Sequence, residues 1–81
     1  MLMLYKLIIL YILDRVDFKM TNSQLTKFIT EREYTSYWNV QTVLNELVAN
    51  NFISQENTMS QTLYGLTSEG KEILDITYKE I

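Results

Sequence analysis

Apolar residues crowd the first thirteen positions of this chain, thin out to helical spacing, alternate briefly, and return to helical spacing at the end. Between Met1 and Leu13 only Lys6 is charged, and a first helix is predicted over about 2–16. On a 3.6-residue period Lys6, Asp14 and Asp17 fall on one side, with Met3 and Leu10 among them; every other direction is apolar. A surface helix carries one apolar stripe, whereas a helix that is apolar all round is covered. A domain of 81 residues cannot easily surround a whole helix. One side is therefore expected to pack on its own domain and the other on a second subunit. The interface candidates are Met3, Leu4, Leu7, Leu10 and Tyr11, joined by Leu74 and Tyr78 from the last helix. About five large side chains buried there would contribute on the order of 7–15 kcal/mol, enough to offset a typical association cost. The alternative is a helix buried within its own fold, or one covered by a segment outside this chain.

Thr21 followed three residues later by Gln24 is a capping-box pattern, so a second helix is predicted over about 22–32 with Thr21 as N-cap. Leu25, Phe28 and Ile29 form its inward stripe; Lys27, Thr30 and Arg32 lie largely outside it. Glu33–Tyr34 forms a turn, and Thr35 or Ser36 caps a third helix over about 36–50. There Val40, Val43, Leu44, Leu47 and Val48 recur at i, i+3, i+4, i+7 and i+8. That stripe leaves Trp38, Thr42, Asn45 and Ala49 facing outward, flanked by Gln41 and Glu46. Asn50–Asn51 suits a C-terminal turn, since Asn tolerates the left-handed conformation.

Phe52–Glu56 and Thr62–Leu66 read as short strands joined by the loop Asn57–Gln61, a hairpin over about 52–66. Thr67 caps a fourth helix over about 68–80, with Glu69 in the first turn where negative charge suits the helix dipole. Ile73, Leu74, Ile76 and Ile81 supply its apolar side. Gly70 within this helix is a local cost relative to Ala. It points to close approach of another backbone, with the first helix as the candidate.

Helix, turn, helix, hairpin, helix is the outline of a winged helix-turn-helix domain. The expected fold is α+β and mostly α, with a three-helix core, a two-stranded wing and a C-terminal helix. Such a domain usually lays the second helix of the pair in a DNA major groove. The third helix then supplies the base contacts: Gln41 and Asn45 have the amide geometry for adenine, and Thr42 suits a thymine methyl or a hydrogen bond. Trp38 would pack on sugar or base edges, or on a protein partner. Ser36 and Tyr37 sit where hydroxyls and backbone N–H groups hold a phosphate. Lys19, Lys27 and Arg32 are the backbone cations. Taken singly, each polar residue is better read as a solvated side chain; the fold context is what raises DNA contact for the face as a group.

Charge works against this picture. Seven basic residues face ten acidic ones, a net charge of −3, whereas a nucleic-acid binder usually shows a basic face. The third helix and the wing hold no Lys or Arg. Lys6, Arg15, Lys71 and Lys79 lie on other elements. Three backbone cations per subunit, about six per dimer, limit the salt slope to about −5. Glu46 faces the same way as Thr42 and would repel phosphate, although it could accept from a cytosine amino group. Double-stranded DNA is thus expected to bind a homodimer weakly and with strong salt sensitivity. The rival is a winged-helix protein–protein interaction module without DNA binding, favoured by the acidic balance, the uncharged loop Asn57–Gln61 and an exposed Trp38.

Other classes recede. With no Cys and no His, disulfides, thiolate nucleophiles, imidazole bases and the common zinc sites are excluded together. No Asp/Glu cluster has the loop spacing of a calcium site, and no glycine-rich loop cradles a phosphate. No enzyme, metal or cofactor is expected. The run Met1–Leu13 is shorter than the roughly 20 residues of a membrane span, and Lys6 lies inside it rather than before it, unlike a signal peptide. A cytoplasmic protein without membrane association is expected. There is no Pro, no linker and no repeat, so residues 1–81 read as one domain.

Two stretches resemble known families. Tyr64-Gly65-Leu66-Thr67-Ser68-Glu69-Gly70-Lys71 is similar to the second wing strand and following helix start of MarR-type and PadR-type regulators. Leu7 to Leu13, Val16-Asp17-Phe18, Thr21-Asn22-Ser23-Gln24, Tyr34-Thr35-Ser36-Tyr37-Trp38 and Gln41 through Leu47 resemble a family of uncharacterised bacterial proteins predicted to be winged-helix transcriptional regulators. A Pro often stands in that family where Lys19 stands here. The resemblance covers nearly the whole chain and implies the winged-helix fold. Members of the family are longer, which implies that this chain matches their N-terminal DNA-binding half, or is a short relative.

Overall fold

The computed structural model describes residues 2–32 and 35–79, without the side chains of Leu2, Tyr78 and Lys79. The turn expected at Glu33–Tyr34 and the roles expected of Tyr78 and Ile81 lie outside the described residues. In chain order the elements are α1 (Leu2–Arg15), β1 (Met20–Thr21), α2 (Asn22–Glu31), α3 (Tyr37–Ala49), β2 (Ile53–Asn57), β3 (Thr62–Leu66) and α4 (Ser68–Lys79). This is a winged-helix fold.

The wing carries one strand more than its hairpin. β1 pairs antiparallel with β3, Met20 opposite Tyr64 and Thr21 opposite Leu63, so the sheet order is β1-β3-β2. A two-residue strand has no room for alternation, and its pairing is set by β3. Thr21 is extended (φ −76°, ψ 158°) and so can end a strand and cap a helix together. Its hydroxyl accepts from the Gln24 amide at 3.0 Å, and the Gln24 side chain accepts from the Thr21 amide at 2.9 Å. Both halves of the capping box are present.

The core lies where the four helices meet the sheet. α3 contributes Val40, Val43, Leu44 and Leu47, all at most 1% exposed, and α2 contributes Leu25 and Ile29. Ile53 and Tyr64 close the core from the sheet and Leu74 from α4. α1 contributes Ile9, Leu10, Ile12 and Leu13.

The flank of α1 that carries its charges faces inward. Lys6 pairs with Glu46 of α3 at 3.0 Å, and Asp14 pairs with Lys71 of α4 at 3.0 Å. Leu10 sits on this flank between the two pairs and is buried. The outward side is largely apolar: Met3, Leu4 and Tyr11 are exposed and Leu7 is half-buried, with Arg15 at the C-terminal end over the Tyr11 ring at 4.8 Å. Leu10 and Leu74, expected at an interface between subunits, lie 1% and 2% exposed in the chain's own core and offer no surface to a partner.

α4 is locked to the turn that follows α3. Asn51 takes a left-handed conformation (φ 62°), as its position after the helix predicted. Its carbonyl accepts from the Thr67 hydroxyl at 2.7 Å, and its side-chain amide donates to the Glu69 carboxylate. The Thr67 hydroxyl in turn accepts from the Gly70 amide at 2.9 Å, which caps α4. Gly70 does admit another backbone, but that of Phe52 and not α1: a Cβ here would overlap the Phe52 carbonyl oxygen and stand 2.9 Å from Leu66 Cδ1.

Candidate nucleic-acid interface

The residues expected to touch DNA are carried by α3 and the segment before it, with Lys19 ahead of β1, Lys27 on α2 and Arg32 just after it. Ser36 caps α3; its hydroxyl accepts from the Asn39 amide at 3.3 Å. Tyr37 opens the helix, half exposed, with its ring edge-on to Trp38 at 5.2 Å between centroids. Trp38 is 76% exposed and starts a line of exposed positions that continues through Thr42, Asn45 and Ala49. This line lies opposite the buried stripe, because the same spacing that puts Val40, Val43 and Leu47 inside puts these residues outside. The Thr42 hydroxyl donates to the Trp38 carbonyl at 3.0 Å, so its methyl and its accepting oxygen are left for an incoming molecule. Asn45 makes no side-chain hydrogen bond among the described residues.

Gln41 does not belong to that line. It is half-buried, and its amide is engaged within the domain. Gln41 Nε2 donates to Asn22 Oδ1 at 3.1 Å and to Thr26 Oγ1 at 2.9 Å, and Gln41 Oε1 accepts from Asn22 Nδ2 at 2.8 Å. Asn22 Nδ2 also donates to the Tyr64 hydroxyl at 3.2 Å, and the Thr26 hydroxyl donates to Asn22 Oδ1 at 3.0 Å. All four amide protons of the pair have acceptors. This network ties α2, α3 and β3 together behind the exposed face. Gln41 therefore orients α3 and has no free amide edge for a base. Asn22, Thr26 and Tyr64 were not singled out in the sequence. The only local signal was a polar Thr26 beside Leu25 on the inward side of an amphipathic helix.

Glu46 is likewise drawn off the outer face by Lys6. Among the backbone cations, Lys19 reaches the wing and pairs with Glu56 of β2 at 3.0 Å. Arg32 stacks its guanidinium on the Phe28 ring at 3.7 Å and donates to the Phe28 carbonyl at 3.3 Å. Lys27 is exposed and enters no ion pair among the described residues. The wing tip is closed by Thr58 and Gln61, whose backbone N–H and C=O groups bond at 2.8 Å, and it leaves Met59 fully exposed. On α4, hydrogen bonds to Asp14 and Asp75 hold Lys71 above its ordinary 10.5. Among the described residues there is no cluster of three or more metal-binding side chains, and no helix is long and apolar enough to cross a membrane.

The sequence matches the family described as "Domain of unknown function (DUF4364)" over residues 5–81. The chain belongs to that family. No curated protein matches it. Among solved structures it is similar to Bacillus subtilis PadR in complex with operator DNA, with a TM-score of 0.79 and 20% sequence identity. The alignment covers 93% of this chain and 46% of that one, so the DUF4364 chain spans less than half the length of the PadR chain. At this identity the likeness is one of fold, and the fold is a PadR-like winged helix.

Proposed function

We propose that this DUF4364 chain is a DNA-binding transcriptional regulator, or the DNA-binding half of one, acting in the cytoplasm. It works as a homodimer that lays two copies of α3 in successive major grooves, about 34 Å apart, with the wings near the flanking minor grooves. The observation that carries this reading is the outward line Trp38, Thr42 and Asn45, exposed and uncharged on a fold whose PadR counterpart is bound to operator DNA. Ser36 and Tyr37 stand at the start of the same helix, and Lys27 and Arg32 are exposed on and after α2; all four are suited to phosphates. Dimerisation is supported by the apolar outward side of α1, where Met3, Leu4 and Tyr11 are exposed. Replacing Leu4 with Glu should convert a sedimenting dimer to monomer; a wild-type chain already monomeric at high concentration would refute the dimer.

A protein–protein module is the second reading. It is favoured by the two most exposed large apolar side chains, Trp38 and Met59, and by the pairing of Lys19 with Glu56, which leaves little positive charge for phosphate.

Trp38 is the single tryptophan, so its fluorescence reports directly on the face in question. Titration with random-sequence duplex DNA at about 20–50 mM salt, where phosphate contacts are strongest, should quench and shift its emission. The effect should vanish as salt rises, with a slope no steeper than about −5. Unchanged emission together with unchanged DNA anisotropy at low salt would refute DNA binding.

A further inference from the structure

The outer face of α3 is selective in what it leaves free. Arg and Lys are the commonest readers of guanine, and α3 contains neither, from Tyr37 to Ala49. Acidic side chains read cytosine through its amino group, but the one acidic residue of α3, Glu46, is held by Lys6 at 3.0 Å. Of the three amides on α3, Gln41 has both its protons and its oxygen engaged by Asn22 and Thr26, and Asn39, outside the outward line, donates to the Thr35 hydroxyl at 2.9 Å. Asn45 alone keeps an exposed amide on the outward line. Thr42 has donated its hydroxyl proton to the Trp38 carbonyl, and so keeps its methyl group and an accepting oxygen. The charged readers of a G·C pair are thus missing or occupied, while one outward amide for adenine and one methyl for thymine remain.

We infer that α3 recognises A·T base pairs, with Asn45 bidentate to adenine N6 and N7 and the Thr42 methyl against a thymine C5-methyl. The inference rests on the DNA-binding reading above and narrows it to a base composition. Specificity then comes from one amide pair and a methyl contact, with no charged base reader.

The test is selection from a random duplex pool at low salt by the whole chain, followed by sequencing of the bound fraction. The result expected is a half-site with A·T pairs at the positions α3 covers. One adenine in it should lose its preference by roughly 5- to 150-fold in Asn45→Ala, the range for a good bidentate contact. Thr42→Ser keeps the hydroxyl and removes the methyl, and should erase discrimination between thymine and uracil. Both positions are exposed, and circular dichroism verifies that the variants fold. A uracil-for-thymine duplex against the wild-type chain repeats the methyl test with no variant at all. Half-sites rich in G·C, or an adenine preference untouched by Asn45→Ala, would overturn the inference and leave DNA binding standing. No enrichment of any duplex would overturn both.

Discussion

Replacing Gln41 with Met distinguishes a residue that holds the reading helix from one that reads. Met has a similar length and no hydrogen-bonding group at the amide position, so the change removes three hydrogen bonds: two donated to Asn22 and Thr26 and one accepted from Asn22. A net contribution of about 0.5–1.5 kcal/mol per bond would give about 1.5–4.5 kcal/mol in total. Asn22 and Gln41 are only half-buried, so water can replace part of the loss for Asn22. The lower half of that range, about 1.5–3 kcal/mol, is expected. For a domain of this size it corresponds to a fall in melting temperature of roughly 6–24 °C. Thermal and urea unfolding by circular dichroism measure it. Affinity for DNA, assayed well below the melting temperature, should fall by a similar factor for every sequence, because α3 loses its tether to α2 and β3 rather than a base contact. A stability change under about 0.5 kcal/mol would refute the network's structural role. A change in preference confined to one base pair would show that Gln41 reaches the groove after all.

Gly70→Ala should destabilise by more than about 2 kcal/mol in a thermal melt, because the new Cβ meets the Phe52 carbonyl; in an open helix the same change would gain about 1 kcal/mol. Leu44→Ala, at a fully buried site, should cost about 2–5 kcal/mol by urea denaturation, a large share of the roughly 4–12 kcal/mol expected for a domain this long. The raised pKa of Lys71 has a definite sign. Its contribution is fully present below pH 10.5 and is lost as pH rises through the raised value. Lys71→Met should therefore be less stable than wild type near neutrality and converge with it in strongly alkaline buffer, as read by urea midpoints.

Much of the architecture is legible residue by residue. The apolar spacing of Val40, Val43, Leu44 and Leu47 places a helix and its buried side together, because period and handedness are local properties of the backbone. Thr21 with Gln24, Asn51 and Thr67 mark helix ends for an equally local reason: each satisfies backbone groups within a turn of itself. The outward line of Trp38, Thr42 and Asn45 follows from the same periodicity, and so the face of the candidate interface is visible in the sequence.

What the sequence could not show is which side of α1 faces inward and which amides are free. The flank of α1 that carries Lys6 and Asp14 turns inward because Glu46 and Lys71 stand opposite it, and its apolar side is left open. Asn22 and Gln41 meet across 19 residues of chain, and that meeting turns a plausible base reader into a brace. The β1 strand exists only because β3 passes beside Met20 and Thr21, and Gly70 is required only because Phe52 crosses there. By itself the sequence determined the helices, their caps, the hairpin and the exposed face of α3, all set by contacts within a few residues. The tertiary structure alone decided that Gln41 and Glu46 were already paired, because Asn22, Thr26 and Lys6 are supplied by distant segments whose position depends on the packed core.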